Sequence, residues 1–147
     1  MRVLEFINTH APTLRLESTL QDAIDKIDLY QVTLLPVLDA EGQVHGIVTE
    51  RQLFRRLFAP MLDARQSDES PPEWERLRSA ARSLVATPIT QLMECPPPLI
   101  DERAPIEEAV ALMAQHDLDT LPVIGEGRFV GTIRLVDCCQ SLLEENA

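Results

Sequence analysis

The chain has 147 residues, 45% of them hydrophobic and 25% charged, with 13 Lys and Arg against 24 Asp and Glu for a formal net charge of −11. That length allows one ordinary domain or two small ones, and the composition is that of a soluble globular protein with apolar side chains enough for a core, which sets aside disordered and fibrous classes. No apolar run approaches the ~20 residues of a membrane span, no signal-peptide pattern opens the sequence, and an acidic surface disfavours nucleic acid and anionic membrane, so a cytoplasmic protein that binds neither is expected.

In chain order, the first strong signal is a helix after Ser18, with Gln21 three residues on as a capping box and Leu20, Ala23, Ile24 and Ile27 on one face. Two short apolar runs, Thr33 to Leu38 and Val44 to Val48, flank a turn containing Gly42 and predict a hairpin. A second helix over Glu50 to Phe58 follows. Residues 59–88 are too long for a plain loop. Their first part, Asp63 to Glu75, holds Ser67, Ser70 and Pro71-Pro72 and is expected to be exposed; Trp74 to Val85 is expected to form a helix whose stripe, Trp74, Leu77, Ala81 and Leu84, joins the core. Then the pattern returns. Pro105 fits the first position of a helix and Glu107 its third, with Ile106, Ala109, Val110 and Met113 as the stripe; Thr120 to Ile124 and Phe129 to Ile133 form a hairpin, and Leu135 to Leu143 a final helix.

The return is a duplication. The five glycines fall only in the two hairpins, Gly42 and Gly46 in one and Gly125, Gly127 and Gly131 in the other. A shift of 86 residues aligns Pro12 with Pro98, Ala23 with Ala109 and Leu35-Pro36-Val37 with Leu121-Pro122-Val123; past the turn a shift of 85 aligns Gly42 with Gly127 and Gly46 with Gly131. Each copy reads strand, helix, strand, strand, helix. A unit of ~50 residues buries too little surface to be stable alone, so the fold expected is α/β (α+β), two βαββα units packed sheet to sheet as a pseudo-twofold module. The units run over 1–58 and 89–147, with 59–88 inserted between them.

The three cysteines, Cys95, Cys138 and Cys139, suit neither a disulfide framework nor zinc spacing and read as reduced thiols packed as small hydrophobes. A thiol enzyme using Cys138 or Cys139 is an alternative class without a local Cys/His signature.

Leu35-Pro36-Val37 followed by Gly42 and Gly46-Ile47-Val48-Thr49, repeated as Leu121-Pro122-Val123 with Gly127 and Gly131-Thr132-Ile133, resembles the tandem cystathionine beta-synthase (CBS) domain pair, the Bateman module. Val3 to Asn8 and Ile89 to Glu94 look like that family's lead-in segments. The resemblance implies a non-enzymatic allosteric receptor for adenine nucleotides or other adenosyl compounds (AMP, ADP, ATP or S-adenosylmethionine), without a catalytic cofactor or metal, that forms a homodimer and signals to a regulated protein partner.

The family's motif, Gly, two residues, Thr or Ser, two residues, Asp, places a hydroxyl and a helix N-terminus at phosphate and a carboxylate at ribose. Each copy keeps half of it: Gly46 and Thr49 with Gln52 in the first, Gly131 and Asp137 with Arg134 in the second. Carried over, the first cleft holds Ile47, Thr49 and Gln52 with Met93, Pro98, Leu118, Asp119 and Thr120. The second holds Thr132, Arg134 and Asp137 with Ile7, Pro12, Val32, Thr33 and Leu34. The second is favoured because Asp137 can grip a ribose and Arg134 can replace the lost hydroxyl by pairing with a phosphate, whereas the first loses the ribose carboxylate and sets Asp119 against phosphate. Thr49 with Gln52 also forms a capping box, and Asp137 suits a helix dipole, so a scaffold with non-binding clefts is the alternative. Arg51, Arg55 and Arg56 read as a solvated helix face, and Tyr30 and His116 as packing residues.

Overall fold

The computed structural model describes residues 1–66 and 73–144, with the backbone alone for 64–66. Each copy builds a three-stranded sheet backed by two helices. In the first, β1 (Leu14–Arg15) pairs parallel with β2 (Leu34–Leu38), which pairs antiparallel with β3 (Val44–Thr49); α1 (Leu20–Tyr30) and α2 (Glu50–Leu57) cover one face. The second repeats this with β4 (Ile100–Asp101), β5 (Thr120–Gly125) and β6 (Arg128–Arg134), and with α5 (Ile106–His116) and α6 (Leu135–Leu143). The duplication reaches the backbone: both hairpins shift register at matching places, Val37/Leu38 and Val123/Ile124, and α1 and α5 both end on a left-handed residue, Gln31 and Asp117. Glu126 and Gly127, both at positive φ, form the tight turn of the second hairpin.

Strand residues alternate between two buried environments. Leu35, Val37 and Val48 face α1 and α2, while Leu34, Pro36 and Ile47 are buried on the opposite face, where β2 touches β5. The hairpin tips also meet, Phe129 N–H donating to Gly42 O at 2.8 Å.

The lead-in segments cross. Val3, in the 3-10 turn Val3–Phe6, is fully buried in the core of the second unit, and Ile89, in the turn Ile89–Gln91, in the core of the first. Each such side chain contributes about 1.5–3 kcal/mol on burial, so neither core is complete without the other unit's lead-in. Asn8 pairs with Thr132 and Glu94 with Ile47 in matching antiparallel bridges. Glycine permits this approach: a Cβ on Gly131 would collide with Ile7 and sit 2.5 Å from Asn8 O, and one on Gly46 would sit 2.9 Å from Glu94 O.

Several expectations need correction. The N-cap of α1 is Thr19, with Asp22 completing the box; the Ser18 hydroxyl instead accepts from Arg15 N at 2.9 Å. Pro105 is the N-cap of α5, with ψ extended at 153°, so Ile106 is its first helical residue and Glu108 its third. Helix α2 stops at Leu57, and a further helix, α3 (Ala59–Gln66), begins at once with Pro60 in its first turn, where a missing N–H costs nothing. The stretch from Ser67 to Pro72 lies outside the described residues.

The inserted helix is α4 (Trp74–Arg82), three residues shorter than expected. Leu77 is buried and Leu84 packs on the first core, but Trp74 is 61% exposed and meets Phe58 in a tilted ring contact, centroids 6.1 Å apart and planes 42° apart. Of the cysteines, Cys138 is buried while Cys95 and Cys139 are exposed. In α6, Cys138 and Ser141 face inward, three residues apart, which leaves Leu142 and Leu143 outside.

Candidate functional site: two inter-repeat clefts

The crossed arrangement leaves a cleft on each side of the line where the two units meet. Thr33 and Asp119, equivalent positions in the repeat, form the wall between them: Thr33 Oγ1 donates to Asp119 Oδ1 at 2.6 Å, Thr120 Oγ1 donates to the same oxygen at 3.0 Å, and both Thr33 and Asp119 line both clefts. Each Thr33-type carbonyl also takes the first N–H of its own unit's last helix, Glu50 N to Thr33 O and Leu135 N to Asp119 O.

The first cleft, about 490 Å³, runs along the start of α2. Thr49 caps that helix. Its Oγ1 accepts from Gln52 N at 3.2 Å and Gln52 Oε1 accepts from Thr49 N at 2.7 Å, leaving the Thr49 hydroxyl proton and the Gln52 amide N–H groups to donate elsewhere. Arg51 and Arg55, one helical turn apart, line the cleft, and neither makes an ion pair among the described residues. Glu50, Glu94, Asp117 and Asp119 line it too, so the cleft offers guanidinium donors to an anion and carboxylate acceptors to hydroxyl or amino groups.

The second cleft, about 570 Å³, is more apolar, with Pro12, Val32, Leu34, Leu135 and Val136 in its walls. Arg134 lines it but is engaged: Nη2 donates to Asp137 Oδ1 at 3.1 Å and Nε to Oδ2 at 3.4 Å, while Asp137 Oδ2 also takes Arg134 N at 3.0 Å. Asp137 therefore faces its own N-cap residue and is not among the cleft's lining residues. Thr132 is 4% exposed and lines the cleft; among the described residues no fully buried side-chain N or O lacks a partner, so its hydroxyl keeps access to the solvent of the cleft.

The structure gathers most of the expected residues and displaces some. Thr49, Gln52, Leu118 and Asp119 line the first cleft; Pro12, Val32, Thr33, Leu34, Thr132 and Arg134 line the second. Thr120 lines the second cleft rather than the first. Ile47 and Pro98 are buried away from the first, Met93 packs against the core of the first unit with its sulfur over Gly46, and Ile7 packs against the core of the second. Arg51, Arg55 and Arg56, read from sequence as a solvated helix face, are exposed, and Arg51 and Arg55 also line the first cleft; Tyr30 and His116, read as packing, are exposed at the clefts. The i, i+4 spacing of Arg51 and Arg55 in the turns following the motif was the available signal.

Burial pushes the Cys138 thiol above its ordinary range, with Asp137 and Cys139 adding to the effect, so Cys138 is a poor nucleophile. Among the described residues no helix is long and apolar enough to cross a membrane, and no group of His, Cys, Asp and Glu is arranged to hold a metal ion.

Comparison with known proteins places this architecture. The CBS domain matches twice, at residues 3–59 and 89–144. A CBS domain-containing protein of Dictyostelium discoideum is 28% identical over 133 residues, covering 90% of this chain and 84% of the relative. Among solved structures, a CBS domain pair/ACT domain protein from Thermotoga maritima superposes with a TM-score of 0.71 at 21% identity over the whole of both chains. CBSX2 in complex with AMP does so with a TM-score of 0.72 at 19% identity, over 97% of this chain and 96% of that one. With both repeats matched and the fold shared, the chain belongs to the CBS domain family as a tandem pair.

Proposed function

We propose that this protein is a regulatory ligand-sensing module: an adenine nucleotide or other adenosyl compound binds in an inter-repeat cleft, alters how the two units sit on one another, and so signals to a partner protein. It acts by binding rather than catalysis, in the cytoplasm, as a homodimer. The observation that carries the reading is the pair of unengaged arginines, Arg51 and Arg55, lining the first cleft beside Thr49. Phosphate belongs at that α2 end, and the carboxylates of the cleft suit the ribose hydroxyls and the exocyclic amine, which are donors. That the structurally similar CBSX2 was crystallised with AMP supports the ligand class. The crossed lead-ins support the coupling, because a ligand that touches Thr49, Glu94 and Asp119 touches both units. Exposed apolar side chains on the outer helices, Leu29, Val110, Leu142 and Leu143, support self-association.

The sequence favoured the second cleft; the Arg134–Asp137 pairing turns the preference to the first. Calorimetric titration of the whole chain with AMP, ADP, ATP and S-adenosylmethionine tests the proposal: saturable binding of at least one is expected, and no heat from any at millimolar concentration overturns it.

A second reading, a scaffold whose clefts bind nothing, is favoured by one observation: Thr49 with Gln52, and Arg134 with Asp137, satisfy one another without a ligand. It predicts that the same titration is silent while the dimer persists.

A further inference from the structure

We infer that a second copy of this chain docks on the groove between α5 and α6 of the second unit, through the outward stripe of its inserted helix α4: Trp74, Arg78 and Arg82. The inference rests on the reading above only in taking the chain as a homodimer, and it names the two faces that meet.

Four observations carry it. First, the repeat supplies a covered and an uncovered version of one surface. In the first unit α3 and α4 pack on α2, and Leu57 is half-buried. Its counterpart Leu142 is 86% exposed and the neighbouring Leu143 78%, so no described element of the chain covers them. Second, the groove between α5 and α6, about 620 Å³, has Ile106, Val110, Leu135 and Leu142 as apolar walls, Glu107 and Glu144 beside them, and no Lys or Arg in its lining. An occupant that brings a large apolar group together with cations matches those walls. Third, α4 carries that combination. Trp74, Arg78 and Arg82 stand at i, i+4 and i+8, a stripe about 12 Å long, and all three are exposed. Arg82 makes no ion pair among the described residues, and Arg78 has a long exposed one, to Glu75 at 3.4 Å, which restrains it little. The ring contact with Phe58 holds one side of Trp74, which lowers the entropy lost when its other side is buried. Fourth, charge selects which faces pair. Residues 50–82 have 7 Arg against 6 Asp and Glu, whereas residues 89–147 have 3 Arg against 11 Asp and Glu. Two copies that met through like faces would set the carboxylates of α5 and α6 against each other. Pairing α4 of one copy with the groove of the other sets arginines against Glu107 and Glu144 instead, and a twofold axis makes that contact twice.

Sedimentation equilibrium of the full chain tests this, with circular dichroism as the check on folding. The wild type is expected to be a dimer. Trp74→Ala should weaken it about tenfold, and either Arg78→Glu/Arg82→Glu or Glu107→Arg/Glu144→Arg about 100-fold, as for an aromatic anchor and for opposed charges turned alike. All four charged residues are exposed, so the reversals should leave the fold intact. Mixing the two reversed chains puts glutamates of one helix against arginines of the other groove at both contacts, and a one-to-one heterodimer about as tight as the wild type is expected. A dimer indifferent to Trp74→Ala or to both reversals, or a mixture that stays monomeric, overturns the inference and leaves the homodimer reading standing. A monomeric wild type overturns both.

Discussion

The two clefts are built from the same repeat and have become chemically different. At four consecutive positions at the start of the last helix the first has Thr49, Glu50, Arg51 and Gln52, where the second has Arg134, Leu135, Val136 and Asp137. In the first, the cap is made by neutral groups and the guanidiniums stay available. In the second, the one arginine is consumed by the carboxylate three residues on, and hydrocarbon replaces charge beside it. The lesson is that a motif residue has to be judged by what already holds it. Asp137 matches the family pattern and Gln52 departs from it, yet the cleft around Gln52 has more free polar capacity.

The largest effect on the comparison should come from breaking the lead-in crossings that shape each cleft. Gly131→Ala would press a methyl group on the branched side chain of Ile7 and, at 2.5 Å, on Asn8 O, and should cost about 3 kcal/mol; Gly46→Ala meets the flexible Met93 side chain and, at 2.9 Å, Glu94 O, and should cost less, about 2 kcal/mol. Thermal unfolding of the two variants checks the order, and an equal shift would contradict it.

Next is conversion of the second cleft toward the first. Val136→Arg places a guanidinium where Arg51 stands in the other unit, so AMP should bind there about tenfold more tightly and calorimetric stoichiometry should rise from one toward two per chain. An unchanged stoichiometry would mean that charge at this position does not distinguish the clefts.

The smallest effect separates the two caps. Thr49→Ala removes a side-chain acceptor from Gln52 N and should cost about 1 kcal/mol. Arg134→Ala leaves the bond from its backbone N to Asp137 in place and removes a pair whose arginine is 57% exposed, so it should cost less than about 0.5 kcal/mol. Urea denaturation of both variants measures the difference.

Much of the fold was legible because duplication and periodicity are local signals. The glycines of both hairpins, the Leu-Pro-Val strands and the stripe of Ala23 and Ile27, or Ala109 and Met113, each fix an element without knowledge of the rest. The resemblance set Ile7 beside the second unit's motif and Met93 beside the first, but the burial of Val3 and Ile89 in the opposite cores was not legible. A four-residue 3-10 turn with one buried valine has no period, and nothing local says that Val3 belongs in the other unit's core. Helix α3 was hidden because Pro60 reads as a stop when it follows a helix, although it equally suits a first turn. For the clefts, residue types at Thr49, Arg134 and Asp137 were readable, but their pairing was not. An arginine at an N-cap reaching the carboxylate three residues ahead is a side-chain rotamer outcome, and whether Arg51 and Arg55 face solvent or cleft depends on where the second unit sits.

The central claim, that the first cleft is the nucleotide phosphate site, is tested most directly by titrating AMP into the wild type and into Arg51→Ala/Arg55→Ala. With two charge-assisted contacts removed, the account predicts saturable wild-type binding and a loss of about 100-fold in the variant, with its fold unchanged by circular dichroism. AMP affinity equal in the two proteins would contradict it.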